Sequence, residues 1–170
     1  MEKLSLADIE KIVNRLAATI DAPDGLLPTY GYTKDFAYPH IEVNKAGLHY
    51  VVIERGQELD RKTTGQIDDL LYWIFEDVTF SMACKYEVKN CVADKDCRRI
   101  IFSKQEELLG KLSGDWQRKK QDDHAHIMQK HPFDDLAGLR ATYYGQLRQQ
   151  GYAETDIERL AYAKYPGNQL

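Results

Sequence analysis

A chain of 170 residues is long enough for one domain with a proper core and short for two. Its apolar share of 43% and charged share of 29% are those of a soluble globular protein, and a net charge of −4 argues against a nucleic-acid binder. The opening MEKLSLADIEK sets charges where a signal peptide needs its apolar core, and no apolar run approaches the roughly 18 residues that cross a bilayer. The expected setting is cytoplasmic, with no membrane and no nucleic acid among the partners.

Ser5, with Asp8 three residues on, has the form of a capping box. Ile9, Ile12, Val13, Leu16 and Ile20 then recur at helical spacing until Pro23 and Gly25 end the pattern. TYGYTKDFAYPH follows and reads as an ordered loop, its rings (Tyr30, Tyr32, Phe36, Tyr38) mostly over the core, with one or two at a surface. HIEV alternates as a half-buried strand, LHYVVIER carries the strongest strand signal, and ELDRKT returns across a Gly56-Gln57 turn. These make an antiparallel meander of about three strands after the first helix.

From Thr64 the apolar period becomes that of a helix. Ile67, Leu70, Leu71, Ile74, Val78 and Met82 share one face, with Trp73, Phe75 and Phe80 on others, so this helix should be central and packed on several sides. Further helices are expected over Lys95 to Leu112 and Asp115 to Lys130. A fifth follows Pro132, with Leu136, Leu139, Tyr143 and Leu147 inside and Gly151 closing it. A short sixth is capped by Thr155 and stopped by Pro166. The expected fold is α+β and predominantly helical, with about six helices in a single domain over residues 1–170.

The sequence carries few signs of chemistry. It has no GK[ST] phosphate loop, no GxGxxG and no GxSxG elbow. Cys84, Cys91 and Cys97 fit neither a disulfide framework nor paired CxxC zinc ligands and read as reduced thiols. His124 and His131 lie seven apart where a metal pair on one helix needs three or four, so solvated or capping histidines are expected. No catalytic, metal or cofactor residue is assigned, and the chain does not read as an enzyme.

One stretch stands out. Residues 54–77 hold seven acidic against three basic side chains, a local excess equal to the charge of the whole chain. Three readings stay open there: a hairpin's solvated end, a ledge read by a partner, or a carboxylate site using Glu54 and Glu58 with Arg55. As a binding surface the set is Tyr30, Tyr32, Glu54, Arg55, Glu58, Asp60, Asp68, Asp69 and Glu76, because aromatics beside charges make strong contact points.

Particular words then suggest a family. LLPTYGY (26–32), PHIEV (39–43), YVVIERGQEL (50–59), DDLLYWIFEDVTFSMACKYE (68–87), RRIIFSKQEELLGKL (98–112) and HPFDD (131–135) resemble the bacterial polymorphic-toxin immunity proteins of the immunity protein 63 family. The resemblance covers about residues 16–135, and 136–170 read as C-terminal helices. It implies a protein that binds and neutralises a cognate toxin domain, such as a nuclease, in the producing cell, as in contact-dependent competition. It implies no catalysis and no cofactor, and it brings no toxin-binding residues to carry across. A small carboxylate-dependent hydrolase or transferase, or a non-toxin interaction module, are the alternatives. Monomer and homodimer both stay open.

Overall fold

The structure is a computed structural model and describes residues 4–167. Its first helix, α1 (Leu6–Thr19), begins at the capping box. Ser5 Oγ accepts from the Asp8 N–H at 3.2 Å, and Asp8 Oδ2 accepts from the Ser5 N–H at 3.1 Å. Two backbone donors that the first helical turn leaves open are thereby satisfied. The helix buries Ile9, Val13 and Ala17, one face at a spacing of four.

A single 3-10 turn, Asp24–Leu26, leads to four strands: β1 (Thr29–Tyr30), β2 (Tyr38–Asn44), β3 (Gly47–Glu54) and β4 (Gln57–Thr64). They lie in chain order, with β2, β3 and β4 antiparallel and β1 parallel to β2. The expected meander is therefore present, and β1 adds a fourth strand from within the aromatic stretch that read as loop. Two residues are too few to display a period of two, which is why β1 gave no signal.

The β3–β4 turn differs from the expectation. Its central residues are Arg55 and Gly56, both left-handed at φ 52° and 73°, and Glu54 stands opposite Gln57. This is the primed turn whose twist suits a hairpin. Arg55 and Glu58 therefore do not face one another, and the register slips between Val52 and Ile53, leaving Leu59 as the extra residue of a bulge.

At the other end of β3, Gly47 has φ +137°, and a Cβ there would collide with the Thr64 carbonyl oxygen. Gly47→Ala is expected to lose roughly 1–3 kcal/mol from overpacking and backbone strain together. A lowered urea midpoint with an unchanged m-value would register it.

The helices that follow are α2 (Ile67–Asn90), α3 (Arg98–Leu112), α4 (Gly114–Lys130), α5 (Ala137–Gln149) and α6 (Glu154–Lys164). The α6 N-cap is Ala153, with no side-chain hydrogen bond, so Thr155 lies inside the helix instead of capping it. Among the described residues no helix is long and apolar enough to cross a membrane.

The chain forms two compact units, Met1–Met82 with Gln105–Arg118, and Ala83–Lys104 with Lys119–Leu170. In the first, Ile41 of β2 and Leu48 and Tyr50 of β3 meet Ile9 and Val13 of α1. Leu70, Ile74, Phe75 and Val78 of α2, Leu109 of α3 and Trp116 of α4 complete the core. Phe75 is fully buried, whereas Phe80, five residues further and on another face, is exposed. In the second unit Leu147 of α5 and Ile157 and Ala161 of α6 are buried. Arg140 of α5 is buried as well, donating to the Tyr165 carbonyl at 2.9 Å and pairing with Asp134. Periodicity alone did not find it, because an arginine reads as a surface residue unless its partners are known.

Candidate functional site

The two surface features read from the sequence meet at one end of the sheet. The Ala37 N–H donates to the Ile53 carbonyl at 2.9 Å, and Tyr38 is paired with Ile53, so loop 31–37 lies against the β3–β4 hairpin tip. Asp35, Phe36 and Ala37 are three consecutive left-handed residues, at φ 60°, 56° and 56°. For residues other than glycine each such conformation costs on the order of 1–2 kcal/mol. The Asp35 N–H donates to Thr33 Oγ1 at 2.9 Å and the Tyr38 N–H to the Asp35 carbonyl at 3.0 Å, which holds the turn. At its apex the Phe36 ring is 88% exposed. Tyr32 is exposed, and the Lys34 ammonium sits 4.6 Å from the Tyr38 ring centroid. On the hairpin side Glu54 is half-buried and Arg55 exposed. Among the described residues neither has an ion-pair partner.

Behind the tip the charges are already committed. The Arg61 guanidinium donates to Glu58 at 2.7 and 2.9 Å and, across β3, to Glu42 at 2.8 Å. Glu42 also meets His40 Nε2 at 3.1 Å. Hydrogen bonding to Arg61 holds the Glu58 and Glu42 carboxyls below their usual range. An acid/base pair of Glu54 and Glu58 would thus have one member fixed as a carboxylate against an arginine, a poor proton donor at neutral pH. Asp60 is exposed on β4, opposite Val52.

Asp68, Asp69 and Glu76 lie elsewhere. They follow the far end of β4, whose eight residues span about 25 Å at ~3.3 Å each. Asp69 accepts from Thr64 Oγ1 at 2.8 Å, and Asp68 accepts from the Trp116 indole N–H at 3.2 Å. The Glu76 carbonyl accepts from Gln105 Nε2 at 3.0 Å. The acidic run of residues 54–77 is therefore divided between an open tip and α2, whose Asp68 and Asp69 side chains are hydrogen-bonded into the fold.

A cleft of about 480 Å³ opens between α1 and β1, lined among others by Glu10, Asn14, Asp24, Tyr30, Tyr32 and Lys34. The Tyr30 hydroxyl oxygen is fully buried and has no hydrogen-bond partner among the described residues. Burial, reinforced by the Glu10 carboxylate, pushes its phenol well above the ordinary value. Glu10, Asn14 and Asp24 were not legible as site residues, because each reads as the solvated side of a helix or a turn. Only the approach of β1 turns that side into a wall.

In the second unit a cavity of about 450 Å³ is lined by Cys91, Cys97, Asp96, Arg98 and Asp134 among others. His124, expected to be solvated or capping, is buried and stacks on Phe102 with centroids 3.8 Å apart. Among the described residues no group of three or more His, Cys, Asp or Glu side chains could hold a metal ion.

Comparison with known proteins adds one finding. Residues 44–126 match the family model of immunity protein 63. The match bears out the resemblance carried by the words of the sequence. No curated protein and no solved structure matches the chain. The immunity protein 63 match begins at the β2–β3 turn and runs into α4, so it includes the hairpin tip, Asp68 and Trp116. The cleft residues and Phe36 precede the matched segment.

Proposed function

We propose that this chain is a cytoplasmic immunity protein that binds a cognate polymorphic-toxin domain and neutralises it by contact, without catalysis of its own. The match to immunity protein 63 carries this reading. The contact surface takes in Glu54, Arg55, Glu58 and Asp60 on the hairpin tip and, at the β1 edge of the sheet, Tyr30 and Tyr32, which line the cleft beside α1. Asp68 and Asp69 keep the hydrogen bonds that tie α2 to its neighbours. An acidic chain gains association rate towards a basic target such as a nuclease, through electrostatic steering.

The test is co-expression of this chain with the variable C-terminal domain of a large secreted protein encoded beside it. Restored growth is the expected result. A toxic domain left unchecked by soluble, folded chain would refute the reading. The double substitution Glu54→Lys and Arg55→Glu is expected to weaken binding at least tenfold, about 1.4 kcal/mol, with an unchanged melting temperature. Wild-type affinity in that variant would remove the tip from the contact surface.

A further inference from the structure

We propose that the cleft between α1 and β1 is a socket for a basic side chain of the partner protein, arginine fitting best, with Phe36, on the loop that leads from the cleft to the hairpin tip, as a separate apolar contact. The proposal rests on the immunity reading above and names the partner chemistry that reading leaves open. Glu10 comes to the cleft from α1 and Asp24 from the 3-10 turn. Among the described residues neither carboxylate has an ion-pair partner. The cation lining the same cleft, Lys34, is drawn over the Tyr38 ring.

Two carboxylates in a concavity repel an anion and attract a cation. Tyr30 and Tyr32 line the cleft as well, and aromatic side chains beside carboxylates suit a guanidinium, which stacks on rings while it donates to the acids. An arginine presents a plane and five donors, which matches this lining better than the point charge of a lysine. The same loop runs from the cleft to the hairpin tip. Tyr32 and Lys34 line the cleft, while Ala37 is bonded to Ile53. Between them the backbone spends three left-handed residues to hold one phenyl ring in water, and that ring stabilises nothing in the free chain. Strain of this kind is kept where something is to be gripped, and an apolar patch on the partner would cover Phe36.

The test uses the full-length chain and the neighbouring toxin domain in titration calorimetry, at about 50 and about 500 mM salt. Phe36→Ala removes an exposed ring and leaves the fold intact; it is expected to weaken binding about 30-fold. Glu10→Gln with Asp24→Asn is expected to weaken it about tenfold at low salt and less at high salt, since the lost attraction is coulombic. Wild-type affinity in either variant, with the wild-type chain binding normally, overturns the proposal and leaves the immunity reading standing. No binding by the wild-type chain to any neighbouring toxin domain overturns both.

Discussion

Replacing Trp116 by alanine is expected to cost roughly 3–5 kcal/mol. The indole is 5% exposed. It stacks on Phe75 with centroids 6.1 Å apart and meets Tyr72 edge-on at 6.2 Å. Its N–H donates to Asp68. Alanine would leave a cavity against Phe75, which is fully buried and cannot move far to fill it. At this chain length the loss corresponds to a fall in melting temperature of about 6–20 °C. Trp116→Phe keeps the ring but not the donor and should lose much less. If Trp116→Ala melted within a degree or two of the wild type, the packing account of α2 and α4 would be wrong.

The same contact bears on the functional question. Asp68 looks in sequence like part of an acidic ledge, and in the structure it is the acceptor that orients a core tryptophan. Its hydrogen bond is to a side chain 48 residues away, which no local pattern reveals. Glu58 tells a similar story, since its partner Arg61 also holds Glu42 on another strand.

What was legible was what repeats within a few residues. The capping box at Ser5, the α1 stripe, the three long strands and all six helices follow from spacing and turn residues. The hairpin turn was located one residue late. Gly56-Gln57 suits a turn with glycine first, but the chain puts Arg55 at positive φ and absorbs the shift in a bulge at Leu59. The cleft was not legible at all, because Glu10, Asp24 and Tyr30 become neighbours only when β1 pairs with β2. Nor does the acidic excess over residues 54–77 act as one surface, since β4 separates its two ends.

The second unit makes the corresponding point about the words that carry the family resemblance. RRIIF and HPFDD lie more than 30 residues apart and interlock through Asp96. Its Oδ1 accepts from the Arg98 N–H at 3.0 Å and so starts α3. Its Oδ2 accepts from Arg98 Nη2 at 2.6 Å and from the Asp134 N–H at 2.9 Å. Arg98 also donates to the carbonyls of His131 and Pro132 at 2.9 and 3.0 Å. Asp135 returns the contact, accepting from the Asp96 N–H at 3.0 Å and from Arg99 Nε at 2.8 Å. Two carboxylates, Asp96 and Asp135, therefore fasten the start of α3 to the segment that follows α4.

Asp96→Ala removes one of the two carboxylates and leaves Arg98 without its charged partner. Breaking a fully buried pair costs ~3–5 kcal/mol. Arg98 is 28% exposed, so water reaches the stranded charge, and about 2–3 kcal/mol is expected once the lost cap is included. Amide exchange should rise across residues 83–104 and 119–167 while α1 and the sheet stay protected.

The pH dependence gives a second reading of the same knot. Burial works against the Asp96 charge, but the Arg98 guanidinium and two backbone N–H groups outweigh it and hold the carboxyl below its ordinary value. Arg99 holds the Asp135 carboxyl at about 2. Both groups are thus depressed in the folded chain, so their stabilisation is complete above the ordinary aspartate value of about 3.9. It is lost as the pH falls through the folded values, towards about 2 for Asp135. The wild type should lose stability across that window, and Asp96→Ala, having less to lose, should show a flatter acid limb. Parallel acid limbs for the two proteins would show that Asp96 does not hold its charge against Arg98 in the way its hydrogen bonds require.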